Sequence, residues 1–241
     1  MAPRRGPNRG LETGVVLLAM ELFNVGVTTI PPVTLFTIAG QVLLYVGTFS
    51  VPWEKWDVCI STDKVLSGHE FKRLFLSTFE HGDDMHLYYN MISFLIKGRS
   101  LEPRYGSTNF AFLLVILCSM TNIGYVLLGQ ACAHLFQDPY YLHTCAIGFS
   151  GVIFALKVLT SYEAPASTTM VAGTPVPTRY AAWVELIVIH LLVPRASFMG
   201  HLAGILAGVL YCKTFVGTMI DNFITGITGE PMVHDISFYH H

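Results

Sequence analysis

Two short stretches carry residue types that can break a peptide bond. The first is Gly148-Phe149-Ser150-Gly151, a serine between small residues. It is not the nucleophile elbow of a soluble α/β-hydrolase, which needs glycine where Val152 stands. At the start of a helix, however, such a serine would have free backbone N–H groups and the positive helix end beside it, which stabilise an oxyanion. The bland alternative is an N-cap or a packing serine. The second stretch, Gly200-His201-Leu202-Ala203-Gly204 continuing to Gly208, moves the balance. A histidine inside an apolar helix is costly and points to function. Gly200, Gly204 and Gly208 recur every four residues and make a small-residue groove beside His201. Gly148, Gly151 and Ala155 offer a matching face. Two helices meeting there would set Ser150 against His201 as nucleophile and general base. Neither stretch holds an aspartate, so a dyad is expected and not a triad. His190 sits in an apolar run without such surroundings and reads as packed or interfacial.

A third cluster runs from His81 to Asn90. His86 and Asn90 are four apart and share a helix face, from which both can donate hydrogen bonds. Aimed at Ser150, they would complete an oxyanion hole with that serine's own N–H. A metal site is the rival, but H-E-x-x-H is absent and asparagine is a poor zinc ligand, so no metal and no cofactor is expected. Gly98, Glu102, Gly106 and Ser107 read as a compact turn whose backbone Glu102 accepts. Arg73, in Phe71-Lys72-Arg73-Leu74, reads as a loop pin bonding carbonyls or lipid phosphates.

The elements that must position these residues are apolar and helical. Of 241 residues 52% are hydrophobic and only 12% charged, about half the usual charged share, too few to cover a water-facing surface. A net charge of −2 gives no reason to expect nucleic acid. The expected fold is an all-α polytopic membrane protein. Residues 1–30 form a cytosolic arm (Arg4, Arg5, Arg9) and an amphipathic interfacial helix over 11–27, with a short extra span as the rival reading. Six spans follow in a domain over 31–216, near 31–49, 85–96, 109–129, 148–161, 180–193 and 197–216. Residues 50–85 form a long interfacial loop, 97–104 a basic hairpin, 130–146 and 162–178 loops, and 217–241 a weakly polar tail. Six spans place both termini on one side. The basic residues near Lys97, Arg104, Arg179 and Lys213 make that side cytosolic, and the start of the fourth span faces away from it. Five scattered cysteines show no C-x-x-C; a disulfide among Cys59, Cys132 and Cys145 stays open.

In order along the chain stand H-x4-H-x3-N (His81, His86, Asn90), G-x3-E-x3-G-S (Gly98, Glu102, Gly106, Ser107), G-x-S-G at Ser150 and H-x2-G-x3-G (His201, Gly204, Gly208). Together they resemble the rhomboid intramembrane serine proteases over about residues 30–216. That resemblance implies a six-helix core with the serine atop a short fourth helix. It also implies Ser150 as nucleophile, His201 as base, and His86, Asn90 and the Ser150 backbone as oxyanion hole, with transmembrane proteins as substrates in the lipid bilayer. The family's tryptophan–arginine loop signature appears only as Phe71-Lys72-Arg73. Segments such as Ile30-Pro31-Pro32-Val33-Thr34-Leu35 and Phe154-Ala155-Leu156-Lys157 are similar to the endoplasmic-reticulum rhomboid-related group of animals, implying protein quality control in that membrane. That group carries a tail binding ubiquitin and an AAA ATPase. No such acidic helix is seen here, so neither partner is expected. The rival is a catalytically silent rhomboid-like protein that binds misfolded clients.

Overall fold

Two prolines set where the first long turn of the chain ends. Pro31 is extended and Pro32 opens α2 (Pro32–Tyr45), the first-turn position where a missing N–H costs nothing. The computed structural model describes residues 12–193 and 196–232. The basic arm of Arg4, Arg5 and Arg9 lies outside the described residues. Before α2 runs α1 (Thr13–Val25), stopped by Gly26 at φ 86°. The Gly14 N–H donates to the Asp84 carboxylate at 2.7 Å, and the Tyr45 hydroxyl donates to Glu12 at 2.7 Å. The start of α1 therefore meets the end of α2 at one end of the bundle, and the chain reverses at residues 26–31 at the other. The helix expected over 11–27 is α1, and it packs against α5. Only glycine fits at position 14, where a Cβ would strike the Asp84 backbone.

After α2 the loop of residues 46–83 holds a 3-10 turn at Lys55–Asp57 and two short helices, α3 (Thr62–Leu66) and α4 (Arg73–Phe79). Then α5 (Asp84–Tyr105) begins at Asp83, whose carboxylate accepts the His86 N–H. Residues 97–104, expected as a basic hairpin, continue α5. Lys97 folds back to donate to Ser93 at 2.8 Å, and Gly98 lies against Thr34 of α2, where a Cβ would collide. The turn comes only at Gly106, φ 78°, before α6 (Ser107–Phe136). Among the described residues α6 alone is long and apolar enough to cross a bilayer unaided.

A one-turn helix, α7 (Tyr140–His143), precedes α8 (Ser150–Glu163). The loop expected over 162–178 forms a hairpin, β1 (Thr168–Val171) on β2 (Thr174–Pro177), with Val171 opposite Thr174. Its turn residues Ala172 and Gly173 have φ 48° and 79°. Next come α9 (Thr178–Leu192) and α10 (Phe198–Lys213), the latter capped by Ser197 accepting the Gly200 N–H. The chain then bends by 80° into α11 (Phe215–Thr228), where the sequence suggested a featureless tail. Tyr211 donates to Asp221 and Thr228 to Asn109, fastening α11 to α10 and α6.

At the centre stands α8, touched by α5, α6, α9 and α10. Val152 through Leu156 and Leu159 are all buried, so the helix is apolar on every side. Its 14 residues are enclosed by other helices, an arrangement in which a short helix is tolerated at membrane depth. The outward faces carry large apolar side chains, among them Phe23, Phe36, Val115, Leu127 and Leu191, as a lipid-facing surface does.

Glu102 ties the frame at the end away from Ser150. Its buried carboxylate accepts the Val33 and Thr34 N–H groups at 2.9 and 2.7 Å, the Thr34 hydroxyl and the Ser107 hydroxyl. The sequence pointed to turn backbone as its partner; the structure shows instead the Ser107 hydroxyl and the N-terminus of α2, more than sixty residues earlier, whose free donors a carboxylate satisfies best. Replacing Glu102 by alanine leaves several buried donors unpaired. Thermal unfolding of purified Glu102→Ala should show a clear fall in Tm, corresponding to a loss of roughly 3 kcal/mol.

Candidate active site

Ser150 is the first residue of α8, and His201 lies in the first turn of α10. The two helices meet through missing side chains. A Cβ on Gly204 would run into the Gly151 carbonyl, and one on Gly208 would lie 2.8 Å from the Ala155 carbonyl. Gly151 touches Thr121 and the Gly200 carbonyl in the same way. The expected pairing of small faces is therefore observed, and it brings His201 Nε2 to 3.0 Å from Ser150 Oγ. With Nε2 as acceptor, the serine hydroxyl donates. His201 is 6% exposed, and its ring stacks on Phe154 with centroids 4.6 Å apart. An aromatic face, in place of a carboxylate, orients this imidazole.

Gly148 shapes the approach to Ser150. Its φ of 119° suits glycine alone, and a Cβ there would lie 2.9 Å from His86 Nε2 and 3.9 Å from Ser150 Oγ. The imidazole of His86 and the hydroxyl of Ser150 thus border one space. His86 Nδ1 accepts the Gly82 N–H at 3.2 Å, which leaves the ring proton on Nε2, the nitrogen nearer that space. The Gly82 carbonyl is in turn held by the Lys55 ammonium. The first N–H groups of α8 have no helical acceptor and open beside the same hydroxyl. Asn90 is buried one turn below His86, and its amide donates to the His86 carbonyl at 2.7 Å. His81, unassigned from the sequence beyond its motif, lies edge-on to His86 at 5.1 Å. Burial, with His86 nearby, pushes its pKa well below the usual histidine value, so it stays neutral at physiological pH.

Arg73 holds the loop as expected, through a carbonyl. Its guanidinium donates to the Cys59 carbonyl at 2.7 Å and binds Glu70. Of the three cysteines expected in loops, Cys59 and Cys145 are joined by a disulfide, and Cys132, which lies in α6 since that helix continues to Phe136, is free. His190, expected as packed or interfacial, is exposed and meets Phe198 edge-on. The sequence reading missed a cavity on the flank of Ser150, lined by Ser77, Thr78, Thr121, Asn122 and Ser197 together with apolar groups such as Ile60 and Ile147. Asn122 donates to Thr78 and to the Leu74 carbonyl. The signal was available, since Thr121 and Asn122 are polar residues in the middle of the apolar run that forms α6.

Comparison with known proteins agrees with this arrangement. A family model described as "Rhomboid domain" matches residues 68–218. Rhomboid-related protein 4 of Rattus norvegicus is 45% identical over 206 residues, covering 85% of this chain and 64% of that protein. The Homo sapiens protein of the same name is 44% identical, covering 86% and 64%. Rhomboid-type serine protease 2 of Debaryomyces hansenii is 25% identical over 154 residues, covering 61% and 51%. The chain spans just under two thirds of the length of the first two. A domain match over more than half the chain, carrying Ser150 and His201 at the crossing of its two glycine-faced helices, assigns the protein to the rhomboid family.

Proposed function

We propose that this protein is an intramembrane serine endopeptidase that cleaves transmembrane or membrane-proximal segments of other membrane proteins. The observation that carries the reading is the 3.0 Å contact between Ser150 Oγ and His201 Nε2 at a buried helix crossing. In the reaction His201 takes the hydroxyl proton as Ser150 attacks the scissile carbonyl carbon. His86, Asn90 and the Ser150 N–H stabilise the oxyanion. His201 then protonates the leaving nitrogen as the C–N bond breaks, and a water activated by the same imidazole hydrolyses the acyl-enzyme. Gly148, Gly151, Gly204 and Gly208 act by letting the reacting groups approach.

The proposed domain is a six-span core over 31–216, with α2, α5, α6, α8, α9 and α10 as spans and α1 as an added pass. Arg104, Glu163 and Arg179 gather at the end opposite Ser150, and we assign that end to the cytosol. The start of α2 and the end of α10 share it, but Glu12 sits at the Ser150 end, so the expectation of two cytosolic termini is dropped for α1. The Cys59–Cys145 disulfide at the Ser150 end fits an oxidising lumen. We place the protein in the endoplasmic-reticulum membrane with the site opening to the lumen, acting on misfolded membrane proteins. A silent, client-binding role would need neither the serine–imidazole contact nor the donor array around it.

Three measurements test this. Ser150→Ala and His201→Ala should each abolish cleavage of a co-expressed transmembrane substrate and labelling by a fluorophosphonate probe. Wild-type labelling by either variant would sink the dyad. His86→Ala should lower kcat by about 10²–10³ with KM little changed, as loss of an oxyanion donor does; an unaltered kcat removes it from the hole. An asparagine-linked glycosylation acceptor placed near Ser50 should be modified in cells and sensitive to endoglycosidase. Lack of modification at a site shown to be exposed would reject the lumenal assignment.

A further inference from the structure

The loop that delivers the nucleophile is tethered far from the helix it starts. Cys145 lies five residues before Ser150, and its bond to Cys59 closes a separation of 86 residues, with the two Cα atoms 5.7 Å apart. Hydrogen bonds to other elements flank that junction on both sides. Ile60 and Ala146 exchange N–H···O=C bonds of 2.8 and 3.0 Å, and the Gly148 N–H donates to the Ser77 carbonyl at 2.9 Å. The Thr144 carbonyl accepts from Tyr125 at 2.9 Å. Cys59 is itself held, since Arg73 binds its carbonyl and Glu70 fixes Arg73. The chain between the disulfide and Ser150 must then place Gly148 at φ 119° against His86, in a space that admits no Cβ. A shift of about 1 Å there would separate the hydroxyl from its donors, an error that costs up to 10²-fold in rate.

We propose that the Cys59–Cys145 disulfide is a positioning device for Ser150, holding the segment 144–149 in the register that the reaction needs. The inference rests on the serine-protease reading for its effect on rate, but not for its effect on the loop. Cys145 is exposed, so a soluble dithiol can reach it, while Cys59 is buried beneath the loop. Reduction transfers two electrons and two protons from the dithiol to the bond, giving two thiols and a cyclic disulfide.

The test uses the full chain in detergent micelles. Dithiothreitol is added until the count of free thiols rises from three to five, Cys118, Cys132 and Cys212 being free beforehand. Hydrogen exchange of the 144–150 segment and fluorophosphonate labelling of Ser150 are then followed. Exchange should rise at least tenfold with α10 unchanged, labelling should slow about tenfold, and reoxidation should restore both. The double variant Cys59→Ala/Cys145→Ala should behave like reduced protein and ignore the dithiol; should it fail to fold, the reduction arm decides alone. Unchanged exchange at five thiols overturns the proposal, as does faster exchange with unchanged labelling. Faster exchange in a protein that never labels upholds the loop-holding role and rejects the protease reading.

Discussion

The structure depends on how closely α8 and α10 approach. Gly151 against Gly204, and Ala155 against Gly208, let two backbones touch where side chains would hold them apart. In an apolar environment helices gain little from the hydrophobic effect, and packing of small residues becomes the main source of association. That contact sets the distance between Ser150 and His201 to 3.0 Å. It also explains why the imidazole needs no carboxylate for its orientation, since the stack on Phe154 arises from the same close packing. Ser150 and His201 are thus brought together by backbone proximity, and other helices preserve it by enclosing α8.

That enclosure is fastened by a few polar contacts, each at a helix end. Glu102 satisfies the start of α2, Asp83 the start of α5, and Ser197 the start of α10. Arg73 and the Cys59–Cys145 bond fix the long first loop to the segment leading into Ser150. Where water is scarce, an unpaired backbone donor is costly, so helix ends are where side-chain identity matters most. The outer faces, by contrast, are broadly apolar and make few specific demands.

Much of the candidate site was legible in residue type and spacing. Gly204 and Gly208, four apart, marked a face that accepts another backbone, and a serine between glycines marked its partner. The four-residue spacing of His86 and Asn90 showed a shared face. Thr121 and Asn122 were equally visible but carried no motif, and their part in the cavity beside Ser150 emerged only once α6 was set against α4 and α8. The placement of α1 was ambiguous for a physical reason. Thirteen residues, apolar but for Thr13, Glu21 and Asn24, suit an interface and a short pass alike, and the Gly14–Asp84 contact shows only that the start of α1 meets the start of α5. Residues 97–104 misled because their charges suggest a turn; burial of Lys97 on Ser93 and of Glu102 on α2 keeps them helical.

By itself, the sequence determined that the chain is helical and apolar, that a helix opens at Pro31-Pro32, and which serine and histidine stand on faces able to meet. These are local properties, written in hydropathy, side-chain volume and period. The tertiary structure alone decided that Cys59 joins Cys145 and not Cys132, that Glu102 caps a helix from the far side of the first loop, and that the His86 ring comes against Gly148 in the segment before Ser150. Each of those follows from groups distant in the chain finding one another in space, and no local pattern encodes such a meeting.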